Sequence, residues 1–154
     1  MAEALPLAHR LLKAFHDFNG VISAPAARLE TVEGVGEAAD HRAEIRSLLV
    51  RYYHAVARHP QLTLAIFATP EAFEGVTRQI TERLTALMTG TTAEPILGRD
   101  ILIDHLHGSG MAVASARGDK KKTARLLEQY ELALDCLLNQ LAIGTAPPLA
   151  LSSN

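Results

Sequence analysis

Seven histidines are the residues in this 154-residue chain whose side chains could bind a metal or move a proton. His105 and His107 lie two positions apart, and His54 and His59 lie five apart. On a helix, neither spacing places both imidazoles on one face, and Asp104 does not correct that geometry. No Cys/His quartet and no His-Glu-x-x-His pattern occurs in the sequence. We therefore expect scattered histidines, surface or partly buried, with no metal site and no cofactor.

Patterns of covalent catalysis are also missing. The sequence holds no Gly-x-Ser-x-Gly motif, no P-loop and no paired carboxylates at a glycine-rich site. Its single cysteine, Cys136, lies in a leucine-rich helical pattern, where a buried and inert thiol is expected. A single cysteine forms no intramolecular disulfide, which fits a reducing cytoplasm. We expect a cytoplasmic protein that is not an enzyme.

Composition sets further bounds. Apolar residues make up 48% of the chain, enough to bury a sizeable core, and the formal net charge is only −2. That balance argues against a polybasic protein of the kind that binds nucleic acid or membrane surfaces. The opening MAEALPLAHR has neither the basic start nor the apolar run of a signal peptide, and no stretch reaches the length of a membrane span. We expect no membrane partner.

The elements that would position these side chains are helices, because apolar residues recur with helical period and no segment alternates for long. The predicted fold is all-α. We expect a helical hairpin segment over residues 1–42, a body over 43–143 and a loose tail over 144–154. Along the chain, helices are predicted over about 4–18, 25–32 and 37–58, and residues 61–67 form an apolar turn or helix. The next helix starts at a Thr69 cap followed by Pro70 and is closed by Gly90. The last two predicted helices cover about 95–116 and 121–142.

The two C-terminal helices are unusually apolar. The helix over 95–116 is apolar nearly all round, and the last helix is polar on only one narrow strip. So wide an apolar surface favours a second contact, of which a homodimer is the simplest. Lys120, Lys121 and Lys122 oppose the helix dipole at the start of the last helix, which predicts a solvated loop there. The expected dimer interface comprises Leu106, Gly110, Val113, Leu127, Leu134, Leu138 and Leu141.

Residues from about 43 to 142 resemble the C-terminal domain of TetR-family regulators. The resemblance lies in Val56-Ala-Arg-His-Pro-Gln-Leu62, His105-Leu-His-Gly-Ser-Gly-Met-Ala112 and Tyr130-Glu-Leu-Ala-Leu-Asp-Cys-Leu-Leu-Asn-Gln-Leu141. It implies an all-helical domain that dimerises through its last two helices and holds an apolar small-molecule effector between the central ones. The family's helix-turn-helix has no visible counterpart. The ligand-binding residues expected on this basis are Tyr52, Phe67, Phe73, Ile80, Leu84, His105 and Met111.

Residues from about 6 to 39 look like the helix-hairpin-helix part of RadC-type proteins. The matching segments are Leu11-Leu-Lys-Ala-Phe15, Val21-Ile-Ser-Ala-Pro25 and Val32-Glu-Gly-Val-Gly-Glu-Ala-Ala39. The turn Gly34-Val35-Gly36 could present backbone N–H groups to a DNA phosphate, or it could be a tight structural turn. Residues 1–45 carry seven acids against four bases, which favours the structural turn.

Three functions stay open at this point. The first is a dimeric small-molecule-sensing regulatory module of TetR type without a recognisable helix-turn-helix. The second is a DNA-associated adaptor that uses the Gly34-Val35-Gly36 hairpin. The third is a structural or designed fusion without a ligand. A sensor would gain thermal stability from its ligand, an adaptor would bind DNA in a salt-dependent manner, and a scaffold would do neither.

Overall fold

The computed structural model describes Gly20 and residues 37–144. Five α-helices and no strand occur in this part of the chain, which confirms the predicted all-α fold. The helices are α1 (Glu37–Arg58), α2 (Pro60–Ala68), α3 (Pro70–Met88), α4 (Pro95–Ser115) and α5 (Lys120–Gln140). The predicted helices at 4–18 and 25–32, the Gly34-Val35-Gly36 hairpin and the tail after Gly144 lie outside the described residues.

Proline begins three of the helices. Pro60, Pro70 and Pro95 each occupy the first position of a helix, where the missing N–H costs nothing and the fixed φ suits helical geometry. The predicted Thr69 cap is wrong in its detail. The Thr69 hydroxyl donates to the carbonyl of Ala65 at 2.8 Å, back along α2, and makes no cap for α3.

The start of α5 corrects the predicted loop. The three lysines from Lys120 to Lys122 form the first turn of the helix. The preceding Asp119 is its N-cap, and the Asp119 carboxylate accepts a hydrogen bond from the backbone N–H of Lys122 at 3.0 Å. A carboxylate at this position accepts a hydrogen bond from an otherwise free donor, and its negative charge interacts favourably with the positive end of the helix dipole. One acidic cap therefore offsets the unfavourable lysines.

Helix α4 is the centre of the bundle, because it packs against each of the other four described helices. Its buried positions include glycines where neighbours come close. A Cβ on Gly110 would lie 3.6 Å from Val56 and 3.8 Å from the ring of Phe67, whereas a Cβ on Gly108 would meet nothing within 4 Å. Packing around α4 is therefore closer at Gly110 than at Gly108.

The core of the bundle takes most of the leucines that were assigned to a dimer interface. Leu106, Val113, Leu134 and Leu138 are at most 2% exposed, and Gly110 is buried with them. Leu127 and Leu141 are half-buried and pack against the same core. A partner copy cannot contact side chains enclosed by their own chain, so the predicted interface residues are wrong for the five that are buried. The side chains that α4 and α5 leave exposed are different ones.

Two arginines of α1 tie the first described helix to the last. Arg42 donates to the carbonyl of Ile143 at 3.1 Å and to the amide oxygen of Asn139 at 2.7 Å. Arg46 binds both carboxylate oxygens of Asp135, at 2.7 and 3.2 Å, and this hydrogen-bonded pair lowers the pKa of Asp135. No helix within the described residues is both long and apolar enough to cross a bilayer.

Candidate functional site

The two neighbouring histidines of α4 contact different aromatic clusters. The ring of His105 stacks on Tyr130 of α5, with centroids 5.1 Å apart and planes 7° apart. The ring of His107 contacts Phe73 at 5.0 Å and Phe67 at 5.6 Å, on the side of α2 and α3. The prediction that their spacing separates them around the helix is confirmed. Two candidate sites follow, one on each side of α4.

The first site contains three nearly parallel rings from three helices. Tyr130 stacks on Tyr53 of α1, with centroids 4.0 Å apart and planes 10° apart, in addition to its stack with His105. Aromatic pairs of this kind are worth about 0.5–1.5 kcal/mol beyond the area they bury. The stack holds α1, α4 and α5 together and gives the site flat, rigid walls.

These rings border a groove between α4 and α5 with a volume of about 220 Å³. Its lining combines three apolar side chains with five that can form hydrogen bonds, and none of them carries a permanent charge. We call it the α4–α5 groove. Its lining residues are Tyr53, His105, Ser109, Ala112, Leu126, Gln129, Tyr130 and Ala133.

Two polar atoms of the groove side chains have no hydrogen-bond partner although they are buried. They are Nδ1 of His105 and the phenolic oxygen of Tyr130. A buried donor or acceptor without a partner costs about 1–3 kcal/mol, and most such groups in folded proteins are paired. An incoming molecule that bonds to these two atoms would remove that cost.

Burial keeps the groove uncharged. It lowers the pKa of His105 and raises the pKa of Tyr130, while the pKa of Tyr53 is raised to about 12. At neutral pH the imidazole is therefore unprotonated at one nitrogen and the phenols keep their protons. A neutral imidazole and a neutral phenol can accept or donate hydrogen bonds but provide no charge for an anion or a cation.

The second site is the cluster of His107, Phe67 and Phe73. Phe67 and Phe73 meet edge to face at 5.3 Å, so the structure brings together two of the predicted ligand-binding residues. Nε2 of His107 is buried without a partner, as are Nε2 of His54 and the hydroxyl of Thr77. Burial lowers the pKa of His107, against the opposing effect of the nearby Asp104 carboxylate.

The other predicted ligand-binding residues do not gather into one cavity. Tyr52, Ile80 and Leu84 are at most 1% exposed and belong to the continuous core. His105 lies in the α4–α5 groove, away from the Phe67 cluster. Met111 is 44% exposed, so its place in a cavity among the helices is wrong: it follows Gly110 around the helix onto the outer surface.

Two larger openings are lined by no residue with a buried polar side-chain atom that lacks a hydrogen-bond partner. A cleft of about 400 Å³ lies between the α3–α4 connection, Leu97, and the end of α5. Its threonines are already bonded, Thr91 to the carbonyl of Leu87 and Thr92 to that of Leu141. A second opening, of about 250 Å³, lies beside Arg58 and Arg117. The α4–α5 groove is smaller than the cleft, but it borders the buried polar atoms that lack partners, so we take it as the candidate site.

Metal ligands do not come together in the part of the chain that the structure describes. No group of three or more His, Cys, Asp or Glu side chains is placed there to hold a metal ion. Cys136 is exposed, contrary to the predicted burial, because the leucine-rich pattern of α5 turns Leu134 and Leu138 inward and leaves position 136 on the outer face.

The polar groove residues that were not predicted from the sequence are Tyr53, Ser109, Gln129 and Tyr130. A sequence signal existed for Ser109 and Tyr130. Groove positions 105, 109 and 112 on α4 share the spacing of positions 126, 130 and 133 on α5, one helical stripe on each. Apart from Leu126, the side chains in these stripes are small or polar, which marks a boundary between core and surface.

No protein-family model, no curated protein and no solved structure matches this chain. The resemblances to TetR-type and RadC-type proteins therefore stay predictions.

Proposed function

We propose that this chain is a small-molecule-sensing regulatory module that works as a homodimer and binds a neutral, planar effector in the α4–α5 groove. The observation that carries the proposal is the pair of buried, unpartnered atoms at the groove, Nδ1 of His105 and the hydroxyl of Tyr130. A bound molecule that supplies the missing hydrogen bonds would remove the cost of leaving these two atoms unpaired.

The effector class follows from the lining. Parallel rings and alkyl side chains favour a flat, largely apolar molecule, and the lack of a permanent charge in the groove disfavours an ionised one. At about 220 Å³, the groove lies below the usual range for drug-sized ligands, so the effector is small. The effector carries at least one hydrogen-bond donor and one acceptor, to bond with Nδ1 of His105 and the hydroxyl of Tyr130.

The regulatory part of the proposal rests on the resemblance of residues 43–142 to TetR-type effector domains. The groove adjoins three helices through its aromatic stack, so a ligand there contacts α1, α4 and α5 at once. Such a ligand shifts the arrangement of these helices by as much as its affinities for the alternative arrangements differ.

The test is thermal unfolding of the full chain with benzamide, which is flat, neutral and carries both a donor and an acceptor. Benzoate has nearly the same shape and is anionic, so it serves as the matched control ligand. Benzamide at ten times its dissociation constant should stabilise the folded chain by about 1.4 kcal/mol, and benzoate should have little effect. Equal stabilisation by benzamide and benzoate, or no stabilisation by benzamide, would contradict the proposal that the groove binds a neutral effector.

Two variants locate the binding. Tyr130→Phe removes one of the two unpartnered atoms and should abolish most of the benzamide response. Thr77→Val removes another buried, unpartnered hydroxyl, on α3 and outside the groove, and should leave the response intact. A response that Thr77→Val weakens and Tyr130→Phe preserves would place the ligand elsewhere.

A further inference from the structure

Two arginines from distant parts of the chain border one opening at an end of the bundle. Arg58 is the last residue of α1 and Arg117 follows the end of α4, yet both line the same opening of about 250 Å³. The fold therefore brings the α1–α2 junction beside the α4–α5 connection. We call this site the basic opening. Its lining residues are Arg58, His59, Pro60, Gln61, Leu62, Arg117 and Gly118.

No acidic side chain in the described part of the chain neutralises either arginine. Both are exposed, and neither guanidinium forms a hydrogen bond or an ion pair with the residues that the structure describes. By contrast, Arg46, Arg78 and Arg99 each bind a carboxylate. Two like charges beside one opening repel each other, and an anion between them would replace this repulsion by attraction.

The stretches of chain that form the opening are poor in acids. Residues 45–70 contain no Asp or Glu, and neither do residues 105–118. The next residue along the chain is Asp119, whose carboxylate already accepts the backbone N–H of Lys122 as the cap of α5. Three consecutive lysines follow in the first turn of α5 and add positive charge to the α4–α5 connection. The electrostatic potential at this end therefore attracts anions.

The hydrogen-bond donors indicate which anion fits. A guanidinium group can bind two oxygens with parallel N–H donors, so two arginines together can bind four. A carboxylate has too few oxygens for both, whereas a diphosphate group has enough. The opening is smaller than the usual site of a drug-sized ligand, which suits a compact anionic group better than a large organic body.

We infer that the basic opening binds the diphosphate group of a small molecule, with the guanidinium groups of Arg58 and Arg117 on its oxygens. This site is additional to the effector site proposed above. The basic opening and the α4–α5 groove share no lining residue, and the groove has no permanent charge. A nucleic acid is the less favoured partner, because its affinity comes from many cations spread along a surface and not from two at one opening.

The experiment is isothermal titration calorimetry of the full chain with inorganic pyrophosphate, in metal-free buffer of low ionic strength. Pyrophosphate should bind at one site per chain, and inorganic phosphate at the same ionic strength should bind at least about tenfold more weakly. Arg58→Gln and Arg117→Gln should each lower the pyrophosphate affinity by about tenfold or more, because each loses charge-assisted hydrogen bonds. Arg83→Gln, an equal charge change on α3 outside the lining of the opening, should leave the affinity within about twofold of wild type.

Three results would overturn the inference. They are no binding of pyrophosphate to the wild-type chain, equal binding of pyrophosphate and phosphate, and equal weakening by Arg83→Gln and Arg117→Gln. Urea unfolding midpoints close to that of wild type would show that the glutamine variants fold.

Short duplex DNA serves as the second probe, because an extended basic surface would bind it. Pyrophosphate should bind more tightly than the duplex at the same ionic strength. Tighter binding of the duplex, weakened as much by Lys121→Gln as by Arg117→Gln, would show an extended nucleic-acid surface and contradict a compact diphosphate site.

Discussion

Tyr130→Phe should make the free protein more stable while making it insensitive to its ligand. The phenol ring of Tyr130 is 3% exposed and stacks on both Tyr53 and His105, contacts that phenylalanine keeps. Only the hydroxyl is lost, and this hydroxyl has no hydrogen-bond partner. The substitution therefore separates the cost of a buried polar atom from the value of the aromatic stack.

The expected magnitude follows from two opposing effects. Removing a buried, unpartnered hydroxyl recovers about 1–3 kcal/mol of desolvation cost. Losing the oxygen's dispersion contacts, at about 0.1–0.2 kcal/mol each, returns less than about 1 kcal/mol of that gain. The net stabilisation is about 1 kcal/mol, which for a chain of this length raises Tm by about 2–4 °C.

The assay is urea unfolding followed by circular dichroism, with Thr77→Val as a second removal of a buried, unpartnered hydroxyl. Both variants should shift the unfolding midpoint upward at an unchanged m value. A loss of stability of 1 kcal/mol or more in Tyr130→Phe would refute the reasoning, because it would mean that the hydroxyl is bonded in the folded protein.

Three further predictions test the electrostatics and packing of the bundle. Burial lowers the pKa of His105 and of His107, so the unfolded chain binds more protons than the folded chain just below the ordinary histidine pKa of 6.5. The free energy of unfolding should therefore fall as the pH drops from 7.5 to 5.5. Urea unfolding midpoints that rise over this pH range would contradict this prediction. Gly75→Ala, with nothing within 4 Å of the new methyl group, should raise the free energy of unfolding by up to about 1 kcal/mol. Gly98→Ala places its Cβ 2.8 Å from a buried methionine, and this variant should be less stable than Gly75→Ala by about 1 kcal/mol or more in the same assay. Arg42→Ala removes two hydrogen bonds to the end of α5 and should cost about 1 kcal/mol in denaturant unfolding, and no measurable loss would show that solvent replaces them.

The helices themselves could be predicted because local signals set their limits. Pro70 and Pro95 each begin a helix at the position that the sequence predicts. Details that depend on side-chain direction could not be predicted. The Thr69 hydroxyl can donate to a carbonyl at the end of α2 or accept from a backbone N–H at the start of α3, and the sequence does not rank the two. The charges of the three lysines at the start of α5 oppose the helix dipole, and only the structure shows that the Asp119 carboxylate caps this helix.

The candidate site was predictable only in part, for a related reason. An apolar stripe shows which residues are buried but not what they are buried against. The apolar pattern predicts Leu134 and Leu138 at a dimer interface, whereas in the structure both fill the chain's own core. His105 is one of the predicted ligand-binding residues and lines the groove, but its neighbours Tyr53 and Tyr130 come from distant parts of the chain. Only the fold brings them together.

The most direct test of the groove as a binding site is the nitrogen NMR spectrum of the full chain labelled with ¹⁵N-histidine, recorded with and without benzamide. Nδ1 of His105 lies unpartnered at the groove, whereas His107 faces Phe67 and Phe73 on the opposite side of α4. We predict that benzamide shifts the His105 ring nitrogens and leaves those of His107 nearly unchanged. Equal shifts of both histidines, or no shift of His105 under saturating benzamide, would contradict the assignment of the α4–α5 groove as the effector site.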